Sequence, residues 1–236
     1  MKAFLWMLSF AVIPAMFSKA QTSMPEQYLA VYGGVALISG GTINGTVDET
    51  AFLGPNPPPY DFSTPYDQST SGTAGLRYGC WSPYENEAWE WGFAADVSFF
   101  REKSDTPGSD IKVFPMSLLA FLRYPMLVSE NHPQGRTYPY FGIGPSLVLA
   151  NVTTEAINVD ESRNVSVLTK GIGFDFRTGW AWRLSDQVDW FIEYRFLAAH
   201  VSGSNENGMN FVPEDNIDVS TSFTSHHLLS GFSFGF

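Results

Sequence analysis

Residues 173–184 read GFDFRTGWAWRL, and their parity carries the fold. Asp175, Arg177 and Arg183 occupy odd positions, while Phe174, Phe176, Trp180, Trp182 and Leu184 fill the even ones. Side chains alternate between the two faces of a strand, so one face here is charged and the other is oily.

The same alternation recurs along the chain, without helix-period segments bearing caps. Eight strands are expected, at about 28–39, 73–81, 89–101, 111–124, 138–150, 171–184, 188–200 and 221–236. Their lengths bracket the roughly 9–11 residues that a tilted strand needs to cross a bilayer. In 89–101, Trp89, Trp91, Phe93, Val97 and Phe99 oppose Glu90 and Asp96; in 188–200, Trp190, Ile192, Tyr194 and Phe196 oppose Asp189, Glu193 and Arg195. A soluble β-sandwich also alternates, but its core would have to absorb nearly every Trp and Phe. Oil outside and charge inside is the pattern of a transmembrane barrel. The expected fold is therefore an all-β, eight-stranded, antiparallel, up-and-down transmembrane β-barrel with a polar, plugged lumen.

The connections support it. Segments 40–72, 151–170 and 201–220 read as long loops on one rim, 102–110 and 125–137 as moderate ones, and 82–88 and 185–187 as short turns. Long loops at one end and mostly short turns at the other suit this architecture, although 125–137 is long for the turn side. A turn at Ser185-Asp186-Gln187 sets Arg183 opposite Asp189 in the lumen and Trp182 opposite Trp190 on the outer face. It also sets Arg177 against Arg195, a repulsion that Asp175 and Glu193 are placed to relieve. Inward charges then number five against five: Arg77, Arg123, Arg177, Arg183 and Arg195 with Glu90, Asp96, Asp175, Asp189 and Glu193. An eight-stranded interior is just wide enough for side chains to fill, so these ions plug it and a wide pore is not expected.

Composition bounds the rest. Lys2, the apolar run Ala3–Phe17 and Ser18-Lys19-Ala20 read as a signal peptide over 1–20, with a barrel domain over 21–236. Removing Lys2 and Lys19 from the 13 Lys and Arg leaves 11 against 24 Asp and Glu, a net charge near −13 that argues against a nucleic-acid partner. The lone Cys80 excludes an internal disulfide and keeps parity with Leu76 and Tyr78 on the oily face.

The segments TAGLRYGCW (73–81), VFPMSLLAFLRYPM (113–126), YPYFGIGPSLV (138–148), GFDFRTGWAWRLSDQVDWFIEYRF (173–196) and SHHLLSGFSFGF (225–236) resemble the eight-stranded outer-membrane β-barrel family, the opacity-protein and OmpA/OmpX-like class of Gram-negative bacteria. The resemblance implies export, insertion by the barrel-assembly machinery, residence as a monomer among lipid and lipopolysaccharide in the cell outer membrane, and variable external loops that meet host or phage surface ligands. It implies that the terminal Phe236, on one face with Phe232 and Phe234, is an assembly signal. No cofactor is implied, and no periplasmic peptidoglycan-binding domain is expected to follow.

Most members act in envelope structure or surface interaction, and that non-enzymatic role is the expectation. Lipid A deacylases of this fold use a His and a Ser two residues apart on the oily face, which His200 and Ser202 match; a catalytic acid is lacking, so this stands as the alternative. His226 and His227 point to opposite faces, cannot share a metal, and read as interface residues. The acids Asp61, Asp67, Glu155, Asp160, Glu161, Glu206, Glu214, Asp215 and Asp218 lack calcium-loop spacing and read as solvated. Residues 54–67, GPNPPPYDFSTPYD, favour stiff, extended backbone. Asn44, Asn151 and Asn164 head N-x-Ser/Thr triplets that carry no sugar in a bacterial outer membrane.

Overall fold

The computed structural model describes residues 26–48, 58–82, 89–103, 110–129, 135–157, 162–205 and 216–236. The leader expected over 1–20 lies outside them. So do Asp160, Glu161, Glu206, Glu214 and Asp215.

Ten antiparallel strands form one sheet: β1 (Glu26–Ile38), β2 (Gly41–Asp48), β3 (Tyr60–Tyr66), β4 (Ser69–Ser82), β5 (Glu90–Lys103), β6 (Asp110–Arg123), β7 (Thr137–Ile157), β8 (Ser162–Ser185), β9 (Val188–Asn205) and β10 (Asn216–Gly235). The ring runs β1-β4-β5-β6-β7-β8-β9-β10 and closes through β1–β10, from Tyr28 opposite Gly235 to Ile38 opposite Ser225. Closure removes the sheet edge over the length where β1 and β10 pair.

The other two strands correct the expectation of a long loop over 40–72. β2 continues the path of β1 beyond a break at Ser39-Gly40 and pairs with β10, from Thr221 opposite Ile43 to Asn216 opposite Asp48. β3 then pairs with β2. Gly, Thr and Asn made this stretch look like a loop, yet Ile43 and Val47 alternate with polar neighbours and bury themselves inward. Gly40 marks the break, since a Cβ there would lie 2.7 Å from the Tyr66 carbonyl oxygen. In 151–170 the described residues 151–157 and 162–170 are likewise strand, and in 201–220 so are the described residues 201–205 and 216–220. β7 and β8 pair without interruption from Thr137–Trp182 to Ile157–Ser162. At ~3.4 Å per residue, 21-residue β7 is about twice as long as a bilayer crossing requires.

The β8–β9 turn holds the expected register. Arg183 faces Asp189 and Trp182 faces Trp190, whose rings stack with centroids 4.8 Å apart. A β-bulge between Arg183 and Ser185 pairs Ser185 with Val188 and narrows the turn to Asp186-Gln187. One residue is absorbed by the bulge, so the pairs below are unchanged.

The outer wall is a continuous apolar band: Leu29, Val35, Leu76, Val97, Ile143, Leu147, Ile172, Phe174, Ile192 and Leu228 are all exposed. At the short-turn end, Trp89, Trp180, Phe232, Phe234 and Phe236 are exposed as well, and Trp91, Trp182 and Trp190 are half-buried. Trp89 packs on Tyr124 at 5.1 Å and Phe236 stacks on Tyr78 at 6.4 Å. Half-buried Cys80 stands on this side too. No helix of the described residues is long and apolar enough to cross a membrane.

Candidate functional site

Going inward, the lumen is stacked in three storeys. The one nearest the short turns is aromatic and ionic. Arg123 donates from Nε to Glu90 at 2.5 Å and from Nη2 to Glu26 at 2.8 Å, with its guanidinium 4.3 Å from the Trp81 ring centre. Arg183 meets Asp189 at 3.3 Å and Glu26 at 3.6 Å, and Tyr138 donates its hydroxyl to Asp189 at 2.5 Å. Glu26 was not anticipated, because it precedes the alternating segment that starts at Tyr28. It corrects the luminal charge balance from five against five to five Arg against six acids.

The middle storey holds Arg77, Arg177 and Arg195 with Asp96, Asp175 and Glu193. Arg177 donates to Asp96 at 2.6 and 3.0 Å, to Asp175 at 3.0 and 3.1 Å, and to Glu193 at 3.2 Å. Arg77 reaches Glu193 at 2.5 Å and Asp96 at 3.3 Å. Arg195 meets Asp175 at 2.7 Å and donates to Ser98 at 2.6 Å. Tyr32 donates to Asp96 at 2.8 Å, Tyr140 to Glu193 at 2.9 Å, and Ser117 to Asp175 at 2.6 Å. All six charged side chains are buried. Burying ions costs several kcal/mol of hydration each, and such an array holds only when the charges share partners: Arg177 meets three carboxylates and Arg77 two, while Arg195 has Asp175 and Ser98.

The third storey, toward the long loops, is apolar and was not read from the sequence. Phe100, Ile111, Val113, Val148, Leu197 and Phe223 fill it with Ile43 and Val47 of β2. His227 belongs here: it is buried against Ser225 at 2.9 Å and edge-on to Phe100 at 4.9 Å, which corrects its reading as an interface residue. His226 does face outward and bonds the Tyr194 hydroxyl at 2.6 Å. A cavity of about 30 Å³ remains among Tyr28, Trp81, Tyr138 and Tyr140, room for a water or two but not for a solute path. No group of three or more His, Cys, Asp or Glu among the described residues is arranged to hold a metal.

On the outer wall, His200 and Ser202 both point outward on β9. The partner of His200 is neither Ser202 nor a carboxylate. Its Nδ1 lies 2.9 Å from Oγ of Ser222, the residue directly opposite on β10. The strand register explains this: residues two apart on one strand are separated by ~6.7 Å, whereas directly opposed pairs stand about 5 Å apart. An acyl-ester hydrolase also needs an acid to orient its imidazole, and among the described residues none bonds His200.

No family model matches the chain, and no curated protein matches it. Among solved structures, it is similar to the outer membrane protein OprG from Pseudomonas aeruginosa, at 14% identity over 91% of this chain and 98% of that one, with a TM-score of 0.45. Neisserial surface protein A is similar at 16% identity over 84% and 95%, TM-score 0.43. The attachment invasion locus protein Ail of Yersinia pestis is similar at 12% identity over 83% and 98%, TM-score 0.32.

Proposed function

We propose that this protein is an integral, monomeric β-barrel of a Gram-negative outer membrane, without enzymatic activity, that serves envelope structure or surface interaction through its long-loop end. The observation that carries the reading is the inversion of polarity across one closed wall: apolar side chains ring the outside while ten Arg, Asp and Glu side chains identified by parity are buried inside. A soluble barrel would reverse this, because several hundred Å² of contiguous exposed apolar surface is not kept in water. The aromatic cluster at the short-turn end is in keeping with an interfacial girdle. Lipid and lipopolysaccharide surround the wall, the barrel-assembly machinery inserts it with Phe236 as part of the signal, and the strands beyond the apolar band present the surface for a host or phage ligand.

The filled lumen supports a structural or adhesive role over diffusion. The bond from His200 to Ser222, with no bond to Ser202, supports the non-enzymatic reading over the hydrolase alternative. The test is alkaline carbonate extraction of membranes, boiling-dependent migration in detergent gels, and planar-bilayer recording. Retention in the membrane, a band shift and no stable conductance steps are expected; release by carbonate overturns the membrane reading, and large steps overturn the plug.

A further inference from the structure

Of the 11 Lys and Arg after Lys19, five are in the lumen, which leaves few for the outside of an acid-rich chain. Three of those few, Arg101, Lys112 and Lys170, are exposed on the outer face just beyond the apolar band at the long-loop end. Arg101 is held by Asp110 at 2.7 and 2.8 Å. Among the described residues neither Lys112 nor Lys170 is in an ion pair.

Lys170 has a special setting. It lines a groove of about 900 Å³ on the outer face of β8, β9, β10, β2 and β3, together with Ser202, Ser220, Asn44, Asp61 and Asp218. Immediately toward the apolar band on the same three barrel strands lies a second depression of about 640 Å³, where small Gly173 and Ala198 sit between Ile172 and Phe174. His200 and Ser222 stand where the two meet, one step along their strands from Ser202 and Ser220. The wall thus carries an apolar dent below and a polar cleft above, the order of an acyl chain and its headgroup. The dent exists because β9 places Ala198 on the outer face opposite Phe174, so no large side chain of β9 fills the space beside that ring.

The cleft's chemistry narrows the headgroup. One cation suits a phosphate, whereas two carboxylates, an amide and five hydroxyls suit ligand hydroxyl groups, which can donate to them. A phosphatidylglycerol headgroup brings only two hydroxyl donors, too few for Asp61, Asp218 and Asn44 together, whereas a phosphorylated sugar brings more. We infer that this groove holds one phosphate-bearing glycolipid of the outer leaflet, its phosphate on Lys170, its sugar hydroxyls on Asp61, Asp218 and Asn44, and an acyl chain in the dent beside Ala198. This rests on the transmembrane placement proposed above.

The test is native mass spectrometry of the full chain, refolded and reconstituted with lipid A or with phosphatidylglycerol, alongside the gel band shift that reports barrel integrity. The wild-type barrel is expected to retain one lipid A and to prefer it over phosphatidylglycerol by tenfold or more. Lys170→Ala lowers retention about tenfold, the loss of one charge-assisted contact. Ala198→Trp, which fills the dent from the lipid side, lowers it comparably, and Lys112→Ala leaves it unchanged. Equal retention of both lipids, or retention indifferent to Lys170 and Ala198 in band-shifting protein, overturns the site. Absence of any band shift with release by carbonate overturns the membrane reading instead.

Discussion

Arg177 and Arg195 stand directly opposite each other on β8 and β9, and one carboxylate oxygen joins them: Asp175 Oδ2 lies 3.0 Å from Arg177 Nη2 and 2.7 Å from Arg195 Nη2. Two like charges on facing positions would repel. Here the bridge, with Asp96 and Glu193 behind it, turns the repulsion into a clamp between strands.

Asp175→Asn keeps the shape but removes the charge that both guanidiniums share. Leaving a buried ion short of its partner costs ~3–5 kcal/mol. Urea unfolding of the barrel in lipid vesicles should show a loss of that order. A change within error of zero would mean that the middle storey does not hold the strands together.

The pair Arg183–Asp189 is expected to behave more mildly, because Glu26 also reaches Arg183 at 3.6 Å. Asp189→Ala should destabilise more than Arg183→Ala with Asp189→Ala, and adding Glu26→Ala to Asp189→Ala should widen the gap. A double-mutant cycle by equilibrium unfolding measures it; strict additivity would contradict the pairing.

Gly144 permits the close approach of β7 to β6, since a Cβ there would fall 1.8 Å from the Leu118 carbonyl oxygen. Gly144→Ala should abolish or strongly reduce folded, band-shifting protein. Gly72, with nothing within 4 Å of its added Cβ, should accept Ala without effect. Equal yields of the two variants would refute the distinction.

The Trp182–Trp190 stack at 4.8 Å should give an exciton signal in circular dichroism that Trp190→Phe strongly reduces, leaving only the weaker Trp180–Trp182 pair at 6.3 Å. The stability cost should be only ~0.5–1.5 kcal/mol, in keeping with a single aromatic pair. An undiminished signal would place the coupled rings elsewhere.

Phe236 donates its backbone N–H to the Gln27 carbonyl at 3.0 Å beside the β1–β10 seam. Deleting it should lower the amount reaching the outer membrane and raise degradation in the periplasm, read by fractionation and immunoblot. Unchanged amounts would remove it from the assembly signal.

Period-two alternation by itself determined which face of each barrel strand turns inward, and with it the burial of Arg77, Asp96, Asp175 and Glu193, because a pleated strand leaves a side chain only two directions. The short β8–β9 turn also set its own register, since a tight hairpin has few ways to close. What only the tertiary structure decided lies in the contacts between distant strands. Glu26 enters the lumen because β1 closes against both β4 and β10. β2 and β3 form because the upper half of β10 offers an unpaired edge that Ile43 and Val47 can cover. His200 meets Ser222 and not Ser202 because cross-strand neighbours are nearer than alternate residues on one strand. Local alternation does not specify which strands become neighbours or how far they slide past one another, and those two quantities place every partner in the middle storey and every wall of the outer groove.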